Sequence, residues 1–261
     1  MAEVALHPVE VDLLCVFAEV EAPFPIDVPA TGQSDIERGV LFSGAAQQLR
    51  DRGLADERGP LDVAEEFVYL LRACTGVVDL VVLSDDRKLA AAVLTAQDEA
   101  LVVVQDSADP HGMIRLRAAT LDNAIGTLER MVPRVDTPLT APFSLPRRAV
   151  ESAFEAILAE APKPLAQNEI EQILAANGLD DRVARRMVSH LQPVLGSGQT
   201  GVAKRDDTED QWRRVGDEVR WIDTTRGRYR LAGDADWMSV NPLGTDDFRA
   251  ALRAMAGLVR A

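Results

Sequence analysis

Cysteine, histidine and positive charge are all in short supply in this chain. Two cysteines and three histidines occur among 261 residues. Cys15 and Cys74 each sit inside an apolar helical pattern, so buried free thiols of a reducing compartment are expected. Three scattered histidines join them in no familiar ligand spacing, which argues against a metal site and leaves no cofactor to expect. Lys and Arg number 28 against 42 Asp and Glu, for a formal net charge of -14. That balance argues against non-specific nucleic-acid binding and against attraction to an anionic membrane, both of which need positive surface. An 18-residue apolar run is also missing, so no membrane insertion is expected. Residues 1–20 hold Glu3, Glu10, Asp12 and Glu19 but no Lys or Arg, the wrong charges for a signal peptide. These absences point to a cytoplasmic protein. What is present is ordinary for a globular chain: 47% hydrophobic and 27% charged residues, long enough for one large domain or two small ones.

The stretch Gln199–Val240 organises the reading. It holds four strand-like runs, around Gly201-Val202-Ala203, Trp221-Ile222-Asp223-Thr224, Gly227–Leu231 and Trp237–Val240, separated by acidic or glycine-containing turns. The chain before it begins with a helix over Pro8–Val20, whose spacing sets Val9, Leu13, Val16, Phe17 and Val20 on one inward face. A second helix spans Ser34–Arg52, with a capping box from Ser34 and Glu37 and Gly53 as its stop. A third spans Leu61–Ala73, with Val63, Phe67, Leu70 and Leu71 inward. Four β-rich runs follow, Val77–Leu83, Leu89–Ala96, Leu101–Gln105 and Met113–Ala118. Their short polar connections imply an antiparallel meander. Leu121–Met131 is a closing helix. Pro133–Pro146 carries four prolines and reads as a connector. Helices over Arg148–Glu160 (Val150, Phe154, Ile157 and Leu158 inward), Gln167–Asn177 (Gly178 its stop) and Asp180–Leu191 lead into the four-strand stretch, and Asp246–Val259 closes the chain.

Both halves thus run helices, four strands, helix. Thr120 and Thr245 open the closing helices 125 residues apart, and Ala100 and Gly227 open the third strands 127 apart. A near-constant offset is the mark of an internal repeat. The expected fold class is α+β: internally duplicated, a central antiparallel β-sheet with pseudo-two-fold symmetry, flanked by two helical bundles. Residues 1–132 form the N-terminal half, 133–147 the connector and 148–261 the C-terminal half, together one structural domain.

No catalytic constellation stands out, so an enzyme is not expected. Asp85 and Asp86 sit at a hairpin tip with no acid, base or ligand beside them, where a solvated turn is the plain reading and a partner contact the sharper one. Asp206-Asp207 and Glu209-Asp210 lack the alternation and central glycine of a Ca²⁺ loop. Gly196-x-Gly198 has no following Lys to make it a phosphate loop, and no Gly-x-Ser-x-Gly elbow occurs. Trp212, Trp221 and Trp237 fall on or beside strands, where packing is the default, with Trp212 set in a polar loop. Three helices and a hairpin over Arg148–Thr224 also match the order of a winged-helix DNA-binding regulator, with Arg182, Arg185, Arg186 and His190 as its reading face. Asp180 and Asp181 would then meet phosphates, which weighs against it.

The second-half pattern Gly201-Val202-Ala203, Trp221-Ile222-Asp223-Thr224, Gly227-Arg228-Tyr229-Arg230-Leu231 and Trp237-Met238-Ser239-Val240 resembles the EspG family of ESX, or type VII, secretion-associated proteins. Ser34–Arg38 and Leu49-Arg50-Asp51-Arg52-Gly53-Leu54 agree more loosely, and the resemblance spans nearly the whole chain. It implies a cytoplasmic, non-catalytic chaperone that binds the helical tip of the PPE subunit of a PE–PPE heterodimer and keeps it soluble for export. The contact it implies uses the first-half hairpin loop, here Ser84–Lys88 with Asp85, Asp86 and Arg87. It also uses the second-half bundle, here Glu171, Gln172, Arg185 and Arg186, with Trp212 and Arg213 at its rim. Gly227, Arg228 and Tyr229 are expected to be structural, with Arg and Tyr on opposite faces of a strand. Self-association is left open.

Overall fold

The computed structural model describes residues 3–84, 86–160, 166–206 and 211–260, apart from the side chains of residues 154 and 157–160. Asp85, Asp207, Glu209 and Asp210, and the inward placement expected for Phe154, Ile157 and Leu158, lie outside the described residues. The elements in chain order are β1 (Val4–Leu6), α1 (Pro8–Ala18), α2 (Asp35–Asp51), α3 (Val63–Ala73), β2 (Gly76–Ser84), β3 (Arg87–Ala96), β4 (Glu99–Asp106), β5 (Ile114–Thr120) and α4 (Leu121–Met131). Then come β6 (Phe143–Pro146), α5 (Arg147–Glu160), α6 (Gln167–Ala176), α7 (Asp181–Leu191), β7 (Val194–Arg205), β8 (Trp212–Thr224), β9 (Gly227–Gly233), β10 (Trp237–Pro242) and α8 (Thr245–Arg260).

The strands form one ten-stranded antiparallel sheet, ordered β1-β5-β4-β3-β2-β7-β8-β9-β10-β6. The architecture is α+β, as expected. The element order strand, three helices, four strands, helix occurs twice. Exchanging β1–β5 for β6–β10 reverses the strand order into itself.

Two compact units divide the chain. The first comprises Met1–Pro133, Gln199–Glu218 and Arg249–Ala261. Its four strands form the expected antiparallel meander, with Val78 opposite Val93, Val93 opposite Val102, and Val103 opposite Leu116. Val77, Leu94, Leu101, Val103 and Leu116 meet Phe67, Leu70 and Leu71 of α3 in one apolar core, so the third helix presents the face its spacing indicated. Ser34 caps α2 by accepting from Glu37 N at 3.2 Å, while the Glu37 carboxylate accepts from Gln33 N and not from Ser34.

Helix α1 corrects its sequence reading. Val16 and Phe17, expected inward, are about half exposed, whereas Glu10, Val11, Asp12, Leu14, Cys15 and Ala18 are buried. The physical reason is ion pairing with α2. Glu10 accepts from His7 N at 2.7 Å and from Arg52 at 3.2 Å. Asp12 accepts from Thr31 N at 2.8 Å and from Arg38 at 3.0 Å. Carboxylates supplied with donors can face inward, and periodicity counted over apolar residues alone misses them.

The second unit comprises Arg134–Gly198 and Val219–Phe248. Leu145, Ala149, Ile170, Leu174, Met187, Val188, Leu191, Tyr229 and Val240 form its core. The proline-rich connector is partly a strand: β6 pairs with β10, with Leu145 opposite Met238 and Phe143 opposite Val240. Prolines suit an edge strand because the missing N–H faces no neighbour. β6 is the last strand of the order.

The Asp-Thr and Gly-Arg-Tyr segments form a latch in this unit. Thr224 Oγ1 donates to Gly227 O and accepts from Arg226 N, both at 3.1 Å, closing the β8–β9 turn. Gly227 has φ +124°, and a Cβ there would collide with Asp136 O. Arg228 N donates to that same carbonyl at 3.1 Å. The Arg228 guanidinium meets the Asp223 carboxylate through two bonds of 2.6 and 2.7 Å and lies over the Trp221 ring at 5.3 Å. Tyr229, on the other face, is fully buried and its hydroxyl meets His190 Nδ1 at 3.0 Å. The opposite-face expectation for Arg228 and Tyr229 is what the strand displays.

Candidate partner-binding surface

The β2–β3 hairpin carries the first group of expected site residues. Ser84 pairs with Arg87, so two residues connect the strands. Asp86 is exposed. Arg87 reaches back to Asp106 with bonds of 2.9 and 2.5 Å, and Asp106 Oδ1 also accepts from Ala108 N at 3.0 Å. Lys88 N donates to Ser107 Oγ at 2.7 Å. The Arg87 bonds hold the Asp106 carboxyl below its ordinary range. Arg87 therefore braces the turn against the β4–β5 connection, leaving Asp86 outward.

The second group lies on α6 and α7. Gln172 and Arg185 are exposed, and Glu171 is half-buried with Gln167 Nε2 donating to it at 3.4 Å. Arg186 is engaged within its own unit: it donates to Ala141 O at 2.9 Å and Thr140 Oγ1 at 3.3 Å and lies 5.0 Å over the Phe143 ring. Arg186 thus fastens the segment that becomes β6. His190 is tied to Tyr229, and burial followed by the charges of Arg226 and Arg186 pushes its pKa down. These commitments overturn the winged-helix reading. Two members of its reading face are packing residues, and α7 leads into a four-strand run of the large sheet instead of a two-stranded wing.

Trp212 and Arg213 open β8, where sequence reasoning placed Trp212 in a polar loop. Both are exposed, and Arg213 lies 3.9 Å from Asp206. Arg205 N donates to Thr75 O and Thr200 Oγ1 donates to Asp79 O, so β7 runs antiparallel to β2 and ends where β2 begins. Asp206 N donates to Gln211 O across the connection to β8. Trp212 and Arg213 consequently stand at the start of β2, whereas Asp86 and Arg87 stand at its far end. Nine residues of strand separate the two places, about 30 Å at the usual rise. The structure brings Asp86 with Arg87 and Trp212 with Arg213, but not the two pairs together. Of the other tryptophans, Trp221 is buried against Phe248 and Trp237 is half exposed.

Sequence reasoning missed Asp79, the one charge inside the apolar run of β2. Its side chain is 3% exposed and pairs with Arg214, which also approaches Glu218 at 3.5 Å and lies 5.5 Å over the Phe24 ring. Gly201 makes room, since a Cβ there would stand 2.8 Å from Arg214 Nη1. A lone Asp between valines was the available signal, but its partner lies 135 residues away. Among the described residues no group of three or more His, Cys, Asp and Glu is placed to hold a metal ion, and no helix is long and apolar enough to cross a membrane.

A ten-stranded antiparallel sheet whose order reverses into itself, with three helices leading into each four-strand run, defines the α+β class of this protein. The sequence profile of the EspG family matches residues 7–254, and the chain belongs to that family. Among solved structures, it is similar to the type VII secretion system chaperone EspG5 of Mycobacterium tuberculosis, determined in complex with a PE25–PPE41 dimer. The TM-score is 0.64 at 10% identity, covering 97% of this chain and 95% of that one. No curated protein matches the chain.

Proposed function

We propose that this chain is a cytoplasmic, non-catalytic chaperone of type VII (ESX) secretion that binds the PPE subunit of a PE–PPE heterodimer, or a similar helical protein, and keeps it soluble for export. The observation that carries this reading is membership of the EspG family over residues 7–254. The fold shared with a chaperone solved in complex with a PE–PPE dimer supports it. The physical need is plain: an apolar helix tip exposed on an export substrate self-associates unless another surface covers it. A partner whose backbone is already ordered covers it at little ordering cost.

In this reading the contact uses Asp85 and Asp86 and the α6–α7 surface of Glu171, Gln172 and Arg185. Arg87 and Arg186 hold those surfaces in shape through Asp106 and the 140–143 segment. Trp212 and Arg213 belong to the proposed surface as well, at a contact separate from the hairpin tip. The equivalence of the two element runs further suggests a duplicated half as the ancestor of the whole chain. Co-expression with a PE–PPE heterodimer and size-exclusion chromatography tests the function: the three chains are expected in one peak, and the chain eluting apart from a soluble heterodimer would refute it.

A further inference from the structure

A groove of about 710 Å³ lies wholly within the first unit, between α3 and α4, and is lined by the consecutive residues Arg117–Thr120 of β5. Alternate residues of a strand face opposite sides of a sheet. Ala118 packs in the apolar core with α3, whereas Arg117 donates to Thr127 Oγ1 on α4. A hollow lined by both sets therefore runs along the edge of the strand and not over one face. That edge is open. β1 pairs with β5 only over Ile114–Leu116, and among the described residues no strand covers Arg117–Thr120 on that side. The N–H and C=O groups along such an edge are a template for another strand.

The two walls of the groove carry opposite charge. On the α3 side stand Glu66 and Glu99. Glu99 lies opposite Thr120 in the ladder and so shares its face, the face of Ala118. Burial, then Glu99, then Asp62 push the Glu66 pKa up, as befits carboxylates gathered without a cation. On the α4 side Arg130 joins Arg117 at Thr127 Oγ1, donating at 2.9 Å, and that hydroxyl donates to Asn123 O at 2.9 Å. Two guanidiniums thus meet at one neutral oxygen. Among the described residues, none of Glu66, Glu99, Arg117 and Arg130 forms an ion pair. Opposite charges on neighbouring strands attract, and like charges repel. An added strand is therefore favoured when it turns cations to one wall and anions to the other.

We propose that the open edge of β5 takes an extended segment of a partner protein as an added strand, with basic residues toward Glu66 and Glu99 and acidic residues, at the alternate positions, toward Arg117 and Arg130. Main-chain bonds supply the affinity of such an addition, and the alternating side chains its choice of partner. The site goes beyond the chaperone reading, whose contacts use other residues. The probe is the blocked hexapeptide Thr-Lys-Glu-Lys-Glu-Thr, titrated into the full chain labelled with nitrogen-15. It is expected to shift the amide signals of Arg117–Thr120 with a dissociation constant on the order of 1 mM. Two comparison peptides are Thr-Lys-Lys-Glu-Glu-Thr, which has the same residues without the alternation, and the probe N-methylated at its central amides. Each is expected to bind at least about tenfold more weakly. Arg130→Glu and Glu99→Lys each reverse one exposed charge on one wall, and each is expected to weaken the probe about tenfold; either decides the matter where the other does not fold. No shift at Arg117–Thr120, equal binding of either comparison peptide, or unchanged binding in a folded variant would overturn the proposal. Shifts at that edge that follow protein concentration without peptide would assign it to a second copy and overturn the proposal too. Peptide binding only after removal of residues 1–3 would do the same in favour of the chain's own start.

Discussion

One added methyl group, placed at two different glycines, is expected to move stability in opposite directions. At Gly227 the backbone has φ +124°, and the new Cβ meets Asp136 O, the acceptor of Arg228 N. Holding a non-glycine residue in such a conformation costs of order 1–3 kcal/mol. Displacing a buried N–H from its carbonyl adds about 1–3 kcal/mol. A loss of about 3 kcal/mol for Gly227→Ala corresponds to a fall of roughly 6–12 °C in melting temperature for a chain of this size. Gly44 offers the opposite case: it is an exposed position in α2, and an ideal Cβ there meets nothing within 4 Å. Alanine in a helix interior is favoured over glycine by about 1 kcal/mol, so Gly44→Ala should melt roughly 2–4 °C higher. Thermal unfolding followed by circular dichroism at 222 nm reads both. A Gly227→Ala variant that melts within about 1 °C of the parent, against the cost of a forbidden conformation, would refute the latch around the β8–β9 turn.

Other predictions concern the site and the charges. Reversing Asp85 and Asp86 to Lys is expected to weaken the complex with a PE–PPE heterodimer without lowering the melting temperature; unchanged affinity would remove the turn from the contact. Asp106→Asn is expected to cost up to about 1 kcal/mol near neutral pH, since Arg87 is half exposed and water screens the pair. The Asp106 pKa is lowered in the folded chain, so its contribution is present above the unfolded carboxylate pKa and lost as pH falls through the folded value. Parent and variant should therefore converge in stability at acid pH, and a gap that widens on acidification would contradict the pairing. Burial pushes the Cys15 and Cys74 thiols up to about 12 and about 11, so neither should react with an aromatic disulfide reagent at pH 8 until the chain unfolds; rapid native labelling would contradict the burial of both.

What was legible in the sequence follows from what each element uses to hold itself. The β2–β5 meander was readable because Val, Ile and Leu runs bounded by short polar turns specify antiparallel neighbours locally. Helix α3 was readable because its buried face is purely apolar. Helix α1 was not, because Asp12 and Glu10 are buried through Arg38 of α2 and Arg52 just past its end, and a periodicity of apolar residues has no term for a paired carboxylate. Strand β6 was hidden by the prolines of the segment that leads into and ends it, and its partner β10 is about ninety residues away in the chain. The site divided in the same way. Asp86 at a turn and Arg185 on a polar helix face are exposed, as local pattern suggests. The bracing of Arg87 by Asp106 and the fastening of residues 140–143 by Arg186 depend on tertiary contacts that no local spacing encodes.

The central claim is that this member of the EspG family holds a helical export substrate as a defined complex. Its most direct test is the mass, by light scattering on a size-exclusion column, of the chain purified after co-expression with a PE–PPE heterodimer. The account predicts a single species with one copy of each of the three chains. A heterodimer that stays soluble and elutes without the chain would contradict it.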